Sequence, residues 1–415
     1  MAEMIELATK KERVILVGVH ADEHDDTVQS VDELEELVAT AGAETVGKVI
    51  QNLSQIHPGT YVGKGKIEEI KDLIWETEAT GVICDDELSP VQLGNLEDML
   101  QIKVMDRTLV ILDIFAKRAS TNEGKIQVEL AQLKYRQSRL VGLGKSLSRL
   151  GGGIGTRGPG EKKLEMDRRL IKGRIAQLNR ELADVKRHRE VTREQRSRNH
   201  IPVVAIVGYT NAGKSTLLNT LTGAGVLEED QLFATLDPTT RNLKLPSGQE
   251  ILITDTVGFI RKLPHHLIEA FRSTLEEAKY ADIILHVVDA SNPQMDEQMY
   301  IVYETLQNLE VKNKPIITAF NKQDKLTEDA ILRDFKADKT LCISAKTGLG
   351  LEILQAVIEE VLRGQKVLIE KLYSYAEAGK IQLIRKYGEL LEEEYRGDGI
   401  YTKGYVPADL YEKVK

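Results

Sequence analysis

Residues 203–221 read V-V-A-I-V-G-Y-T-N-A-G-K-S-T-L-L-N-T-L, an apolar run, a glycine-bounded turn ending in Lys-Ser, and a helical run. No other stretch restricts the fold as tightly. A strand feeding such a turn and then a helix is the opening of an α/β unit, and the turn has the pattern G-x-x-x-x-G-K-S. Gly208 and Gly213 permit a loop in which the backbone N–H groups of Gly208, Tyr209, Thr210, Asn211, Ala212 and Gly213 point inward. The helix N-terminus that follows favours negative charge there, so the expected occupant is a polyphosphate. Lys214 is expected to reach the β- and γ-phosphates, and the Ser215 hydroxyl to ligate Mg²⁺, a hard cation that prefers oxygen. By itself the pattern leaves ATPases, kinases and GTPases open.

Four further elements follow in order. F-A-T-L-D-P-T-T at Phe233–Thr240 is polar and rich in threonine, as a switch loop must be to place a hydroxyl on Mg²⁺. Within Phe233, Ala234, Thr235, Leu236 and Asp237 the expected ligand is Thr235, with Thr239 as its rival. D-T-V-G at Asp255, Thr256, Val257 and Gly258 closes the strand I-L-I-T-D and supplies a carboxylate near the metal and a glycine N–H able to sense the γ-phosphate. N-K-Q-D at Asn321, Lys322, Gln323 and Asp324 closes the strand K-P-I-I-T-A-F. The Asp324 carboxylate matches the adjacent N1–H and amino donors of guanine, which adenine lacks, so this element selects GTP and GDP. Ser344, Ala345 and Lys346 add an expected backbone contact to the guanine oxygen.

The position after Gly258, where many GTPases carry a Gln that orients the attacking water, is Phe259. A phenyl ring makes no such hydrogen bond, so slow intrinsic turnover is expected, with the missing group supplied by a partner. Arg241 and Arg261 lie near the switch elements and are the internal candidates for an arginine finger, although most loop arginines are merely solvated.

The net charge of −9 hides a division. Residues 117–200 hold 22 Lys plus Arg against 9 Asp plus Glu, a balance of +13, which leaves −22 for the rest. Apolar residues recur there at Ile126, Leu130, Leu133 and Leu140, and again at Leu164, Ile171, Ile175, Leu178, Leu182 and Val185. Those spacings describe two helices with one apolar stripe each, paired antiparallel with their basic faces outward. Between them the segment 142–160 carries eight glycines and is expected to be a loop. Lys145, Arg149 and Arg157 stand among those glycines, an arrangement that lets cations and amides approach phosphates; the plainer reading is a flexible linker.

Residues 1–116 alternate strand-like and helical patterns. Strands are expected at Val14–Val19, Thr45–Gln51, Gly81–Asp85 and Ile102–Asp106, and helices near Asp32–Thr40, Lys66–Glu78 and Pro90–Leu100. The predicted fold is α/β: an N-terminal α/β domain (1–116), a basic helical hairpin (117–200), a Ras-like P-loop G domain (201–364) and a small C-terminal α/β domain (365–415). Cys84 and Cys342 sit in or beside apolar runs and are expected to be buried free thiols. No run of 18 apolar residues occurs and no secretory signal opens the chain, so no membrane span and a cytosolic location are expected.

Beyond the five nucleotide elements, the chain resembles the HflX family of translation-associated GTPases. The resemblance rests on Y-V-G-K-G-K-I-E-E-I at Tyr61–Ile70, the loop S-R-L-G-G-G-I-G-T-R-G-P-G-E at Ser148–Glu161, and F-A-T-L-D-P-T at Phe233–Thr239, and with the domain order it covers roughly 1–365. It implies binding to the large ribosomal subunit and GTP-dependent splitting of stalled or idle ribosomes under stress. It also implies RNA contacts from the glycine-rich loop, which would fall on Gly151, Gly152, Gly153 and Gly160 with Arg149 and Arg157. A phenylalanine at 259 fits the resemblance; K-K-L-E after Glu161, in place of T-Q-L-E, departs from it. A monomer is expected. The alternatives are a GTPase of subunit maturation, and a GTP switch that recruits protein partners without RNA.

Overall fold

The computed structural model describes residues 11–21, 26–147, 159–198, 201–223, 232–233, 235–264, 267, 277–326 and 332–415. It divides into two compact units, the first made of 1–185 with 229–237 and 260–273, the second of 186–228, 238–259 and 274–415.

In the first unit, β1 (Arg13–His20), β2 (Glu44–Asn52), β3 (Gly81–Cys84) and β4 (Lys103–Asp106) form a parallel sheet in the order β2-β1-β3-β4. Parallel strands covered on both faces read as continuous apolar runs, and Val14–Val19 is buried throughout. The helices α1 (Thr27–Ala41), α2 (Lys64–Thr77) and α3 (Pro90–Leu100) connect them. Local chemistry sets the start of α3: Ser89 and Gln92 form a reciprocal capping box and Pro90 takes the first helical position. A fourth helix, α4 (Arg107–Arg118), follows β4 directly and was not among the expected elements.

The hairpin consists of α5 (Asn122–Leu147) and α6 (Pro159–Arg198). Ile126 and Leu130 pack on Leu178 and Leu182, with Leu133 and Ile175 at the margin, which is the apolar stripe read from the spacing. Arg174 grips Glu129 across the pair at 2.7 and 2.8 Å. One expectation fails here. Helix α5 runs on through Gly142, Gly144 and Lys145, and α6 already begins at Pro159, so the glycine-rich segment is helical at both ends. A proline costs nothing at a first helical position, where its missing N–H has no partner to lose.

In the second unit, β5 (Val203–Gly208), β6 (Thr239–Lys244), β7 (Glu250–Asp255), β8 (Ile283–Asp289), β9 (Ile316–Asn321) and β10 (Lys339–Cys342) build a sheet in the order β10-β9-β8-β5-β7-β6. All neighbours are parallel except β6 with β7. Among the described residues the helices beside it include α7 (Lys214–Thr222), α8 (Met295–Asn308) and α9 (Leu351–Gly364), the last burying Leu351, Leu354, Ile358 and Leu362. The C-terminal segment adds an antiparallel sheet of β11 (Lys366–Tyr373), β12 (Glu389–Arg396) and β13 (Gly399–Pro407), with β13 central. Ile381 and Ile384 of α10 (Ala378–Tyr387) pack on it, and Tyr373 Oη donates to Val414 O of α11 (Ala408–Val414) at 2.7 Å. The architecture is the α/β class expected, with an N-terminal α/β domain, helical hairpin, Ras-like G domain and small C-terminal α/β domain. Cys84 is a buried free thiol, but Cys342, at the end of the edge strand β10, is exposed. Among the described residues no helix is long and apolar enough to cross a membrane.

Candidate nucleotide site

Strand β5 delivers Gly208 to the centre of its sheet, where the chain turns through 209–213 and enters α7 at Lys214. Gly213 has φ +92°, and a Cβ there would meet Asn321 Nδ2 at 2.3 Å, so only glycine fits. Lys214 folds back over the loop, donating from Nζ to Tyr209 O at 2.7 Å. Burial pushes its ammonium down to about 8; Lys322 adds to the effect and Asp255 opposes it.

The parallel register opposes Ile206 to Asp255, and Ser215 Oγ donates to Asp255 Oδ2 at 2.7 Å. Thr256 Oγ1 is spent on Ile206 O, and Val257 is buried. Gly258 lies so close to the loop that a Cβ would meet Thr210 Cα at 2.9 Å and Lys214 Nζ at 3.0 Å. Beyond it Phe259 is zipped to the loop: its N–H donates to Gly208 O at 3.1 Å and its carbonyl accepts from Thr210 N at 2.8 Å. Its side chain is buried, so position 259 has both backbone groups engaged and no polar side chain. Thr210 Oγ1 is buried without a hydrogen-bond partner among the described residues.

The opposite end joins three motifs through one amide. Asn321 Nδ2 donates to Ala212 O and its Oδ1 accepts from Ala345 N, both at 2.8 Å. Lys322, with φ +64°, pairs with Asp289 Oδ2 at 2.7 Å. Gln323 is held by its N–H on Ile343 O. Asp324 is exposed and accepts from Ser344 Oγ at 2.5 Å, the main cause of a carboxyl held below its ordinary range. Lys346, next to buried Ser344 and Ala345, is exposed. The motifs beginning at Gly208, Asp255, Asn321 and Ser344 therefore meet at the C-terminal ends of the parallel strands. Asp289 was missed, since nothing in I-I-L-H-V-V-D marks its last residue as a partner for Lys322.

The segment 232–237 belongs to the first unit. Phe233 adopts φ +56° and sets its ring edge-on to Phe115 at 4.7 Å; Thr235 and Leu236 are buried. Ala234 lies outside the described residues. Thr239, the rival, stands on β6 opposite Asp255. Arg241 is exposed and bonds Thr240 O, whereas Arg261 is buried in the first unit beside Asp26.

Next to Arg261 lies a charge cluster with no sequence signal. Lys262, φ +51°, reaches Asp85 Oδ2 at 2.5 Å and Asp86 Oδ1 at 2.7 Å just past the end of β3. Arg107 closes on Asp85 from the other side at 2.9 Å, and on Glu33 at 2.6 Å. Burial opposes ionisation of Asp85, but Arg107 and then Lys262 outweigh it and hold the carboxyl low. Tyr61, from Y-V-G-K-G-K, is buried and donates to Asp86 Oδ2 at 2.6 Å. Of the expected RNA contacts, Lys145 lies on α5 and Gly160 on α6; Arg149, Gly151, Gly152, Gly153 and Arg157 fall outside the described residues.

Residues 28–116 match the family described as GTP-binding GTPase N-terminal, 118–196 the GTP-binding GTPase Middle Region, and 203–322 the 50S ribosome-binding GTPase. The GTPase HflX of Lacrimispora saccharolytica is 70% identical over 99% of this chain and 97% of its own. The chain belongs to the HflX family of GTPases. HflX relatives from Caldanaerobacter subterraneus (50% identical, 99% of this chain and 95% of the relative) and Escherichia coli (43%, 85% and 84%) agree. As a member of the HflX family it binds guanine nucleotide and hydrolyses GTP.

Proposed function

We propose that this GTPase docks on the large ribosomal subunit through its basic hairpin and uses GTP binding and hydrolysis to split or recycle stalled or idle ribosomes. One observation carries the reading: a charge of +13 lies within 117–200 of a chain whose remainder sums to −22. A cationic helix pair on an otherwise acidic protein attracts RNA by counterion release, while the acidic parts discourage nonspecific coating. The description of the family matching 203–322 as 50S ribosome-binding supports the same partner. Lys145, Arg149, Gly151, Gly152, Gly153, Arg157 and Gly160 are then RNA contacts, and the protein works as a cytosolic monomer.

In this reading residues 208–215 cradle the phosphates and Lys214 neutralises them. Asn321 holds the loop and guanine elements together, Asp324 reads the base, and 344–346 contact its oxygen. The adjacent oxygens of Ser215 and Asp255 suit a hard cation, so Ser215 would hold Mg²⁺, which supplies charge neutralisation at the β- and γ-phosphates; Thr235 is the ligand expected from the switch segment on its sequence alone. Gly258 leaves room beside Lys214 for the γ-phosphate end of the nucleotide. With Phe259 zipped to the loop, no side chain there orients water, so turnover on the isolated protein is slow. Completing such a site in trans is worth about 10⁵ in rate in small GTPases.

Sucrose-gradient profiles of ribosomes with protein and GTP test the proposal. A shift from whole ribosomes to free subunits is expected. Binding to large subunits with no loss of whole ribosomes indicates subunit maturation instead, and no ribosome binding with a nonhydrolysable GTP analogue indicates a protein-recruiting switch.

A further inference from the structure

The carboxylate of Asp237 sits on the N-terminus of α5. Its Oδ2 accepts from Ser120 N at 2.9 Å, Ser120 Oγ at 2.7 Å and Thr121 N at 2.9 Å, and its Oδ1 accepts from Thr121 Oγ1 at 2.5 Å. Thr121 is the residue before the helix; its Oγ1 also accepts from Gly124 N at 3.0 Å, so the local cap and the distant carboxylate form one network. The negative charge meets the positive end of the helix dipole.

Two observations make this a built contact. A Cβ on Gly124 would stand 2.3 Å from Asp237 Oδ1, so the first turn of α5 is shaped to admit the carboxylate. Four residues upstream, Phe233 packs edge-on against Phe115 in the last turn of α4. The F-A-T-L-D segment is thereby tied at both ends to the α4–α5 corner, the root of the hairpin.

We propose that Asp237 is a positioning residue through which the switch segment and the hairpin report on each other: nucleotide state changes the capping of α5, and the capping of α5 changes nucleotide preference. Asp237 is two residues from Thr235, a span of about 7 Å at full extension, so displacement of one strains the other. Linkage requires the effect to be reciprocal. The inference rests on 233–237 being the switch segment, as read above, and on nothing about the ribosome.

Hydrogen exchange of amides 120–126 in the full-length protein, with GDP or a nonhydrolysable GTP analogue, tests the first half. Affinities for both nucleotides in Asp237→Asn and Gly124→Ala test the second. Alanine is the better helix former, so Gly124→Ala keeps α5 intact while its methyl displaces the carboxylate. The expected result is a protection difference between the two states in the unmodified protein, abolished in both variants, with the analogue-to-GDP affinity ratio shifted about fivefold or more. The signs must agree: if the analogue raises protection, the variants lose analogue affinity relative to GDP, and conversely. Thr121→Ser keeps the response and Thr121→Val loses it. Equal protection in the two states, an unchanged ratio, or opposed signs would overturn the proposal. Failure to bind either nucleotide would overturn instead the assignment of the nucleotide site.

Discussion

Lys214 carries the clearest pH signature of any residue in the nucleotide site. Its ammonium titrates near 8 in the folded protein against 10.5 when solvated, because burial disfavours the charge. Between those values the unfolded chain holds a proton that the folded chain has lost, so this residue makes stability rise with pH across that window. Nucleotide phosphates restore the charge, so binding takes up a proton and affinity falls as pH climbs past 8. Calorimetry at about pH 8.5, in buffers of contrasting ionisation heat, is expected to show an uptake approaching one proton, and none in Lys214→Met. Asp324 supports a second prediction. Replacing it with Asn removes a charged acceptor for the guanine donors and supplies a donor for a base bearing oxygen at that carbon. GTP affinity should drop by about 2–3 kcal/mol, roughly 30- to 150-fold, while xanthosine triphosphate gains; equal losses for both would argue that Asn disturbs only the Ser344 bond.

Among the elements, α4 and α5 depart most from what the residues suggest alone. Gly142 and Gly144 each cost a helix about 1 kcal/mol relative to alanine, yet α5 continues through both. Propensity misjudged the end of this helix, while the three-and-four spacing picked out Ile126 and Leu130 as the packed face. Helix α4 escaped notice because it follows β4 with no intervening loop, its first residue being the buried Arg107. That arginine anchors the turn after Phe259: it bonds Asp85, Ser30 and Arg261 O, and Asp85 in turn holds Lys262. Arg107→Met leaves Asp85 buried with Lys262 as its remaining cation, and should destabilise the protein by about 3–5 kcal/mol in denaturant titrations. Because Asp85 is held below its solvated value, its stabilising contribution is complete above about pH 4 and is lost as pH falls through the lower folded value. Arg107→Met should therefore also flatten the acid limb of the stability curve; an unchanged limb would mean that Asp85 is compensated by Lys262 alone.

For the whole molecule, the separation of +13 from −22 predicts steep ionic-strength dependence. If the hairpin neutralises six to ten phosphates, affinity for large subunits should fall by about 10³–10⁵ between 50 and 200 mM salt. Reversing basic residues along α6 should flatten that slope and leave GTP hydrolysis on the isolated protein intact. Cosedimentation across a salt series measures both. A flat slope for the unmodified chain would favour the protein-recruiting switch.

The phosphate loop, the N-K-Q-D run and the Phe259 departure are legible in the chain because each is marked by contiguous residues at a turn, a helix N-terminus or a strand end, although the bonds from Asn321 to Ala212 and Ala345 are not. Period-based features, such as the parallel strands and the hairpin stripe, were readable for the same local reason. Long-range polar pairings were not. Lys262 meets Asp85 across 177 residues and Asp237 meets Thr121 across 116, and nothing in either segment names its partner. Which strand and helix ends come together depends on how the sheets and helices pack, and that packing, through burial of the apolar faces, docked a motif that reads in the sequence as a threonine-rich switch loop.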